Sequence, residues 1–472
     1  MALSSQEQYE RLRVELVACG QGHVLAFWDD LDEPERRALM DDLSRIHIAE
    51  LPSLVACVTG AEPSAKAPDD RVPPEVLHAG PGRDDLEARG AALLAAGRVA
   101  ALTVAGGEGT RLGFAGPKGA VPVSPVRRKP LFQLFAEAIR AAERRYGGRT
   151  PWYIMTSRAN DEQTRAFFAS HGFFGLTPEQ VRFFQQGAMP AFSPSGKILL
   201  SERHRVALAP DGHGGCLLAM AQQGVLSDMA QRGVDYVSYF QVDNPLVHCV
   251  DPVFIGLHDL QGSEMSSKTV SKADDLERVG CLVARGGRLT VIEYSDMPES
   301  MARSRDERGA RRFDAANIAI HILSRALVER LTADPAAFAL PWHRAVKKVS
   351  HVDPETGTRV EPTEPNAIKL EAFVFDALPL ARNPIVVATS REEEFSPVKN
   401  PDGPDSIETA RRAMSRRAAR WLEAAGVRLE RDSTGEPRGP LEISPLFALT
   451  AADLGRREIP ERPGSEDAWC IE

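Results

Sequence analysis

The residues best suited to chemistry lie in one short stretch: Val104-Ala-Gly-Gly-Glu-Gly-Thr-Arg-Leu-Gly113, followed by Pro117-Lys118. Glycines placed directly after an apolar run let backbone N–H groups approach an anion closely and tolerate positive φ. Arg111 and Lys118 add the positive charge that a polyphosphate needs. Polyphosphate handling is the chemistry this pattern points to. Two familiar phosphate loops do not fit it. The dinucleotide fingerprint G-x-G-x-x-G, started at Gly107, needs glycine at position 112 and meets Leu112; the third glycine comes one place late. That removes the basis for a nicotinamide dehydrogenase. The P-loop needs Gly-Lys and then Ser or Thr after four intervening residues, and the segment does not supply it.

The rest of the reactive inventory is quieter. Cys19, Cys57, Cys216, Cys249, Cys281 and Cys470 are scattered with no close pair. That spacing suits neither a disulfide framework nor a zinc site, and implies free thiols in a cytoplasmic protein. The histidines show no metal-ligand spacing, and Ser157, Ser396 and Cys281 have no obvious base partner.

A phosphate-binding turn needs a rigid strand before it and helices to cover that strand. Val99–Ala105 is an apolar run ending in Gly106-Gly107, the pattern of a buried strand. Leu131–Tyr146 reads as an amphipathic helix, Trp152–Thr156 as the next buried strand and Asp161–Ala169 as the next helix. Val181–Gln185, Val237–Val242 and Ile385–Thr389 are further strands. This alternation predicts an α/β fold with a Rossmann-like central domain and a mostly parallel sheet, whose ligands gather at the carboxyl ends of the strands. Tyr9, Leu12, Leu16 and Val17 repeat at helix spacing, and Asp32-Glu-Pro34 caps a second helix carrying Leu39, Met40, Leu43 and Ile46. A Pro/Gly/Asp-rich connection follows from Glu62 to about Arg83. Near the end, a helix over Ser406–Gly426 precedes short β-like pieces. Three consecutive parts are expected: a helical N-terminal region with its linker (1–95), a catalytic domain (96–390) and a small β-containing C-terminal domain (391–472).

The 472 residues carry 57 Lys and Arg against 66 Asp and Glu, a net charge of −9. A pI near 5.8 argues against a nucleic-acid partner, which calls for a basic surface. Hydrophobic residues at 43% and charged residues at 26% are ordinary globular proportions and exclude wholesale disorder. The start lacks a basic then apolar leader, and no run reaches the roughly 18–20 apolar residues of a membrane span, so no membrane partner is expected. An acidic chain can still bind anions through a local cation cluster.

The glycine-rich segment resembles the signature loop of sugar nucleotidyltransferases, and in detail the eukaryotic-type UDP-sugar pyrophosphorylases, most closely those that make UDP-N-acetylglucosamine. Similar motifs follow in order: Pro151-Trp-Tyr-Ile-Met-Thr-Ser157, Phe183-Phe-Gln-Gln-Gly187, Ala209-Pro-Asp-Gly-His-Gly-Gly215, Val242-Asp-Asn244, Glu293-Tyr-Ser295, Asn317-Ile-Ala319, Phe373-Val-Phe-Asp376, Phe395-Ser-Pro-Val-Lys-Asn400 and Leu441-Glu-Ile-Ser-Pro445. The resemblance covers most of the chain, from about residue 20 to about residue 450. The resemblance implies uridylyl transfer: a sugar 1-phosphate oxygen attacks the α-phosphorus of UTP, and pyrophosphate leaves in line. Such chemistry rests on positioning and charge neutralisation.

On this resemblance Ala105, Gly106 and Gly107 hold the nucleotide, with Gln241 and Lys369 also on UTP. Arg111 and Lys118 neutralise the departing pyrophosphate, and Lys399 serves the α-phosphate. Asp243 ligates Mg²⁺. Gln186 reads the uracil edge, since an amide both donates and accepts, and Gly212 lets the backbone pass close to the base. Gly280, Glu293, Tyr294 and Asn317 form the sugar pocket. Phe373 and Phe375, alternating along an extended run, lie against the N-acetyl group or belong to the core. Two departures bear on the sugar: His213 replaces the family's asparagine, and Asp314-Ala-Ala-Asn317 replaces Asn-Ala-Gly-Asn. N-acetylglucosamine 1-phosphate is the expected acceptor, with glucose 1-phosphate or a broader range as the alternative. An inactive nucleotide-sugar-binding regulator is a third possibility, opposed by the presence of Asp243, Lys118, Lys369 and Lys399. The chain is expected to act as a monomer or homodimer.

Overall fold

The apolar run at Val99 forms the strand it predicts, and a large sheet is built around it. In the computed structural model, which describes residues 5–60, 70–80, 82–334, 338, 340–461 and 468–472, ten strands join this sheet. In chain order they are β1 (Val76–Leu77), β2 (Val99–Val104), β3 (Trp152–Thr156), β4 (Val181–Gln185), β5 (Tyr236–Gln241), β6 (Met265–Ser271), β7 (Cys281–Arg285), β8 (Arg288–Ile292), β9 (Ala315–Ser324) and β10 (Ile385–Ala388). The spatial order is β1-β10-β6-β9-β5-β2-β3-β4, with β7 pairing β8 and β9. Pairs β5-β2, β2-β3, β3-β4, β6-β10 and β1-β10 are parallel, whereas β9 runs antiparallel to both β5 and β6. The sheet is mainly parallel, as expected for an α/β fold.

The chain steps from β2 to β3 to β4 on one side, then returns to place β5 on the other side of β2. Connections therefore leave β2 in opposite directions, which opens a crevice at the carboxyl ends of β2 and β5. Aromatic packing holds these strands in place. Phe132 meets Trp152 and Phe168 edge-on at 6.3 and 4.9 Å, and Phe135 meets Phe240 at 5.2 Å. Both Phe132 and Phe135 lie on the Leu131–Tyr146 helix, whose apolar residues recur at helical spacing and face the sheet. The buried Trp152 indole donates to Thr103 Oγ1 at 2.8 Å, so its polar atom is satisfied.

Contacts divide the chain into two compact units rather than three consecutive parts. One comprises Asp70–Gln185, Met220–Arg330 and Ala377–Glu472; the other comprises Met1–Asp69, Gln186–Ala219 and Leu331–Asp376. The interleaving arises from strand pairing between distant segments, which composition does not reveal. In the second unit Phe192 exchanges both backbone hydrogen bonds with Ile368, at 2.9 and 2.7 Å. Helices Ser5–Ala18, Glu33–Ser44 and Leu51–Thr59 pack Leu16, Leu39, Leu43 and Leu54 onto Phe192, Leu200, Ile368 and Leu370. Asp32 and Glu35 form the capping box that begins the second of these helices. The expected connection from Glu62 lies, over 62–69 and at 81, outside the described residues. In the first unit, helix Ile407–Ala424 gives Ala410 and Met414 to the main core. Its Trp421 and Leu422 join a smaller cluster around the parallel pair Leu441–Ile443 and Trp469–Ile471.

All six cysteines are free. Among the described residues, no helix is long and apolar enough to cross a membrane.

The fully buried Asp42 ties a helix to a hairpin in the second unit. It accepts from Arg205 at 2.8 Å and from the Val206 backbone N–H at 3.1 Å. Removing one member of such a pair leaves the other groups unsatisfied. Asp42→Ala is expected to cost ~2–4 kcal/mol in thermal or urea unfolding, less than a wholly buried pair because Arg205 stays partly in water. A change below ~0.5 kcal/mol would contradict this role.

Candidate active site

Of the residues predicted for UTP, the Ala105–Gly107 turn, Lys118, Gln241 and Asp243 meet at the carboxyl ends of β2 and β5. Val104 and Gln241, the last residues of the two strands, are partners in register. The Ala105–Gly107 turn and Asp243 therefore leave the sheet side by side, and the Val242 N–H donates to the Val104 carbonyl at 3.1 Å. Lys118 closes the turn: its backbone N–H donates to the Gly107 carbonyl at 3.1 Å, and its Nζ lies 3.5 Å from Asp243 Oδ2. Arg111 sits on the short 3₁₀ turn Thr110–Leu112, exposed and without an ion pair among the described residues.

Two buried asparagines that the sequence reading passed over fix this edge. Asn160 Nδ2 donates to the carbonyls of Ala105 and Gly107 at 2.9 and 3.0 Å, while its Oδ1 accepts from the Ser157 N–H. It pins the glycine turn to the end of β3. Asn244 Nδ2 donates to the Glu394 carbonyl at 2.6 Å, and its Oδ1 accepts from Ser396 N–H at 3.2 Å. The Val398 N–H donates to the Asp243 carbonyl at 2.8 Å. These bonds carry the Phe395–Asn400 motif, and with it the exposed Lys399, to the strand end where Asp243 lies. The only signals were positional: Asn160 precedes a helix, and Asn244 follows the metal-type aspartate.

Charge concentrates here. Burial raises the Asp405 carboxyl above its usual range; Lys399 opposes that rise, while Glu277 and Asp243 add to it. Asp243 is 8% exposed and faces Lys118, a donor set suited to a hard divalent cation that keeps waters and phosphate oxygens among its ligands. His248, Asp251 and Glu394 also have metal-ligand spacing. That cluster already holds a cation, since Lys268 Nζ lies 2.7 Å from Asp251 and 2.6 Å from Glu394.

The residues assigned to the sugar meet at the hairpin β7–β8. The Asn317 N–H donates to the Gly280 carbonyl at 2.8 Å. A Cβ on Gly280 would lie 2.9 Å from Glu293 Oε1, so the carboxylate rests against this glycine. Tyr294 is 50% exposed and carries its ring into solvent. The departure at Asp314 is neutralised locally, because Arg311 lies 3.0 Å from its carboxylate.

The remaining predicted residues belong to the other unit. Gln186 Nε2 donates to the Gly212 carbonyl at 2.8 Å, so part of its amide is committed inside the protein. Gly212 has φ +83, and a Cβ there would lie 2.3 Å from the Ala372 carbonyl oxygen. Lys369 lies on the strand Ala367–Glu371, opposite Ala345. The extended run expected through Phe373 and Phe375 is not formed. The strand ends at Glu371, Ala372 bonds the Asp211 and Gly214 backbones, and a 3₁₀ helix begins at Val374. The rings still meet, 5.1 Å apart, and His213 stacks on Phe373 at 5.3 Å. Val374 N–H donates to His213 Nδ1 at 3.2 Å. Burial, with the neighbouring His343 charge, lowers the His213 ring to about 4. The ring is therefore neutral at ordinary pH, with its remaining proton on Nε2.

Comparison with known proteins identifies the family. The family model described as UTP–glucose-1-phosphate uridylyltransferase matches residues 72–415. Human UDP-N-acetylhexosamine pyrophosphorylase-like protein 1 is 38% identical over 476 aligned positions, covering 94% of this chain and 93% of the relative. The UDP-N-acetylglucosamine pyrophosphorylase of Saccharomyces cerevisiae is 34% identical, covering 87% and 90%. The crystal structure of the uridine diphosphate N-acetylglucosamine pyrophosphorylase from Trypanosoma brucei superposes with a TM-score of 0.83 at 25% identity, covering 100% of this chain and 99% of that one. A family match across most of the chain, with relatives aligned nearly end to end, places it: the chain belongs to the UTP–glucose-1-phosphate uridylyltransferase family.

Proposed function

We propose that this chain transfers the uridylyl group of UTP to N-acetylglucosamine 1-phosphate, forming UDP-N-acetylglucosamine and pyrophosphate. The observation that carries this is the meeting of the glycine turn, Lys118 and Asp243 at the carboxyl ends of two adjacent parallel strands. The names of the curated relatives, which specify an N-acetylated sugar nucleotide, support the choice of acceptor.

The turn N–H groups and Lys118 bind the triphosphate, and Arg111 takes the charge developing on the leaving pyrophosphate. Gln241 and Asp243 serve UTP, and Lys399 serves the α-phosphate and steadies the attacking phosphate. Asp243 would hold Mg²⁺, which supplies Lewis-acid neutralisation of phosphate charge when bound. Lys369 adds a further cation toward UTP. Gln186 and Gly212 contact the base. Gly280, Glu293, Tyr294 and Asn317 orient the sugar, with acceptor groups suited to its hydroxyls. His213, Phe373 and Phe375 offer a neutral aromatic wall to the N-acetyl group. The work is positioning and electrostatics, with no covalent intermediate on the protein.

One observation favours glucose 1-phosphate, or a broad range, as a second reading: His213 stands where the resembling enzymes carry asparagine, and it packs directly on Phe373. The enzyme is further proposed to act in the cytoplasm as a monomer or homodimer, without nucleic-acid or membrane partners.

A pyrophosphate-release assay with UTP, N-acetylglucosamine 1-phosphate and Mg²⁺ tests the assignments. Asp243→Asn and Lys399→Ala are each expected to lower kcat by at least ~10²-fold, the scale of a lost electrostatic group in a dry site. Rates near wild type from folded variants would remove those roles. His213→Asn exchanges one neutral group for another, and is expected to raise the preference for the N-acetylated sugar over glucose 1-phosphate by ~3–10-fold in kcat/KM. An unchanged ratio would detach His213 from sugar choice.

A further inference from the structure

Strands β6 and β10 are parallel neighbours, with Thr269 and Ala388 partners in register. Because β9 runs antiparallel to both β5 and β6, β6 points the same way as β5, and its carboxyl end falls on the edge that carries Asp243. Ser271 and Arg391 therefore leave the sheet close together on that edge. Each leads into a different part of the proposed site. After Ser271 the chain forms the loop 272–280, which ends in Gly280 of the sugar pocket. After Arg391 it forms the segment that carries Lys399.

Arg391 has no part in the functions assigned so far, yet it holds both segments. Its Nη2 donates to the Ser271 carbonyl at 3.2 Å and to Glu277 Oε2 at 2.8 Å. The same Glu277 oxygen accepts from the Ala273 N–H at 2.7 Å, and the Glu277 carbonyl accepts from the Val279 N–H at 2.8 Å, next to Gly280. The far flank of the loop is fixed separately, by Arg311 donating to the Lys272 carbonyl at 2.6 Å and to Asp275 at 2.9 Å. On its other side the Arg391 guanidinium lies over the Phe395 ring, 5.3 Å from the centroid, and Phe395 opens the motif that contains Lys399. A planar cation that donates along its edge and stacks on its face suits this place; an ammonium does not. The Arg391 Nε is buried without a hydrogen-bond partner among the described residues, so the side chain is held here at a cost.

A sugar 1-phosphate is a short, stiff ligand, because one oxygen joins the ring to phosphorus. To hold both ends at once, the sugar pocket and Lys399 must stand at one fixed separation, and a misplacement of ~1 Å costs ~10²-fold in rate. We propose that Arg391 is the positioning residue that sets this separation, gripping the Gly280 loop through Ser271 and Glu277 and the Lys399 segment through Phe395. Arg391 itself touches no substrate. The acceptor and the UDP-sugar product, which span both segments, depend on it. UTP, whose proposed contacts on the glycine turn and Lys118 do not involve Arg391, keeps its affinity. This rests on the proposed placement of the acceptor between the sugar pocket and Lys399.

The test uses the full chain and two readouts: kcat/KM for N-acetylglucosamine 1-phosphate, and calorimetric affinities for UTP and for UDP-N-acetylglucosamine. Arg391→Gln is expected to lower kcat/KM for the acceptor by ~10–100-fold and to weaken UDP-N-acetylglucosamine by ~10-fold, with UTP affinity within ~3-fold of wild type. Arg391→Lys keeps a charge for Glu277 without the fork or the stacking face, and is expected to recover only part of the loss. A folded Arg391→Gln variant with unchanged acceptor kinetics overturns the proposal, and so does an equal loss for UTP and UDP-N-acetylglucosamine, the mark of general support alone. Full recovery with lysine would also overturn the two-sided grip. Should Arg391→Gln not fold, Glu277→Ala opens the same contact from the loop side and carries the same expectation. Glu293→Gln and Lys399→Ala separate the two levels. If they too leave kcat/KM for the acceptor unchanged, the placement of the acceptor fails; if they lower it while Arg391→Gln does not, only the role of Arg391 fails.

Discussion

The pairing of β2 with β5 is the constraint on which the site depends. Their parallel register ends together at Val104 and Gln241. A glycine turn and a carboxylate therefore leave the sheet at one place, and Lys118, anchored on the turn, reaches the carboxylate. Were β5 antiparallel to β2, Asp243 would emerge at the opposite edge. The crevice opens here because the chain leaves β2 in both directions. The aromatic core under this part of the sheet, Phe135 against Phe240 on β5 and Phe132 against Trp152 on the neighbouring β3, holds the strands in place.

Onto this edge the chain adds cations and fastens them through buried amides. Asn160 bridges the glycine turn and the end of β3, and Asn244 draws in the segment that carries Lys399. Buried side-chain amides suit this task because they satisfy donors and acceptors together without adding charge. The positive charge is thus local, within a chain of net charge −9. The acidic surface and the proposed anion-binding edge do not conflict: a surface charge more than a Debye length away is largely screened in salt.

Much of this was legible in the sequence because it is local. The strands at Val99, Trp152, Val181 and Ile385 begin where their apolar runs begin, and helix Leu131–Tyr146 matches its amphipathic pattern from end to end. The glycine turn follows its strand directly, as residue types alone indicated. What stayed hidden depends on distant pairing. The two interleaved units come from strands such as Ala367–Glu371 bonding to Phe192, and no composition shift marks those joins. The 3₁₀ helix at Val374 replaces an extended run because Asp211 and Gly214 have already taken the Ala372 backbone groups. Asn160 and Asn244 look like caps and turn residues in one dimension. Their importance lies in carbonyls and amides that folding brings to them.

The most direct test is kcat/KM measured side by side for N-acetylglucosamine, N-acetylgalactosamine and glucose 1-phosphates with UTP and Mg²⁺, following pyrophosphate. The proposed chemistry predicts turnover with all reactants present, and the highest value for N-acetylglucosamine 1-phosphate. A higher value for glucose 1-phosphate would contradict the assigned acceptor, and no pyrophosphate from any of the three, with folded protein, would contradict uridylyl transfer itself.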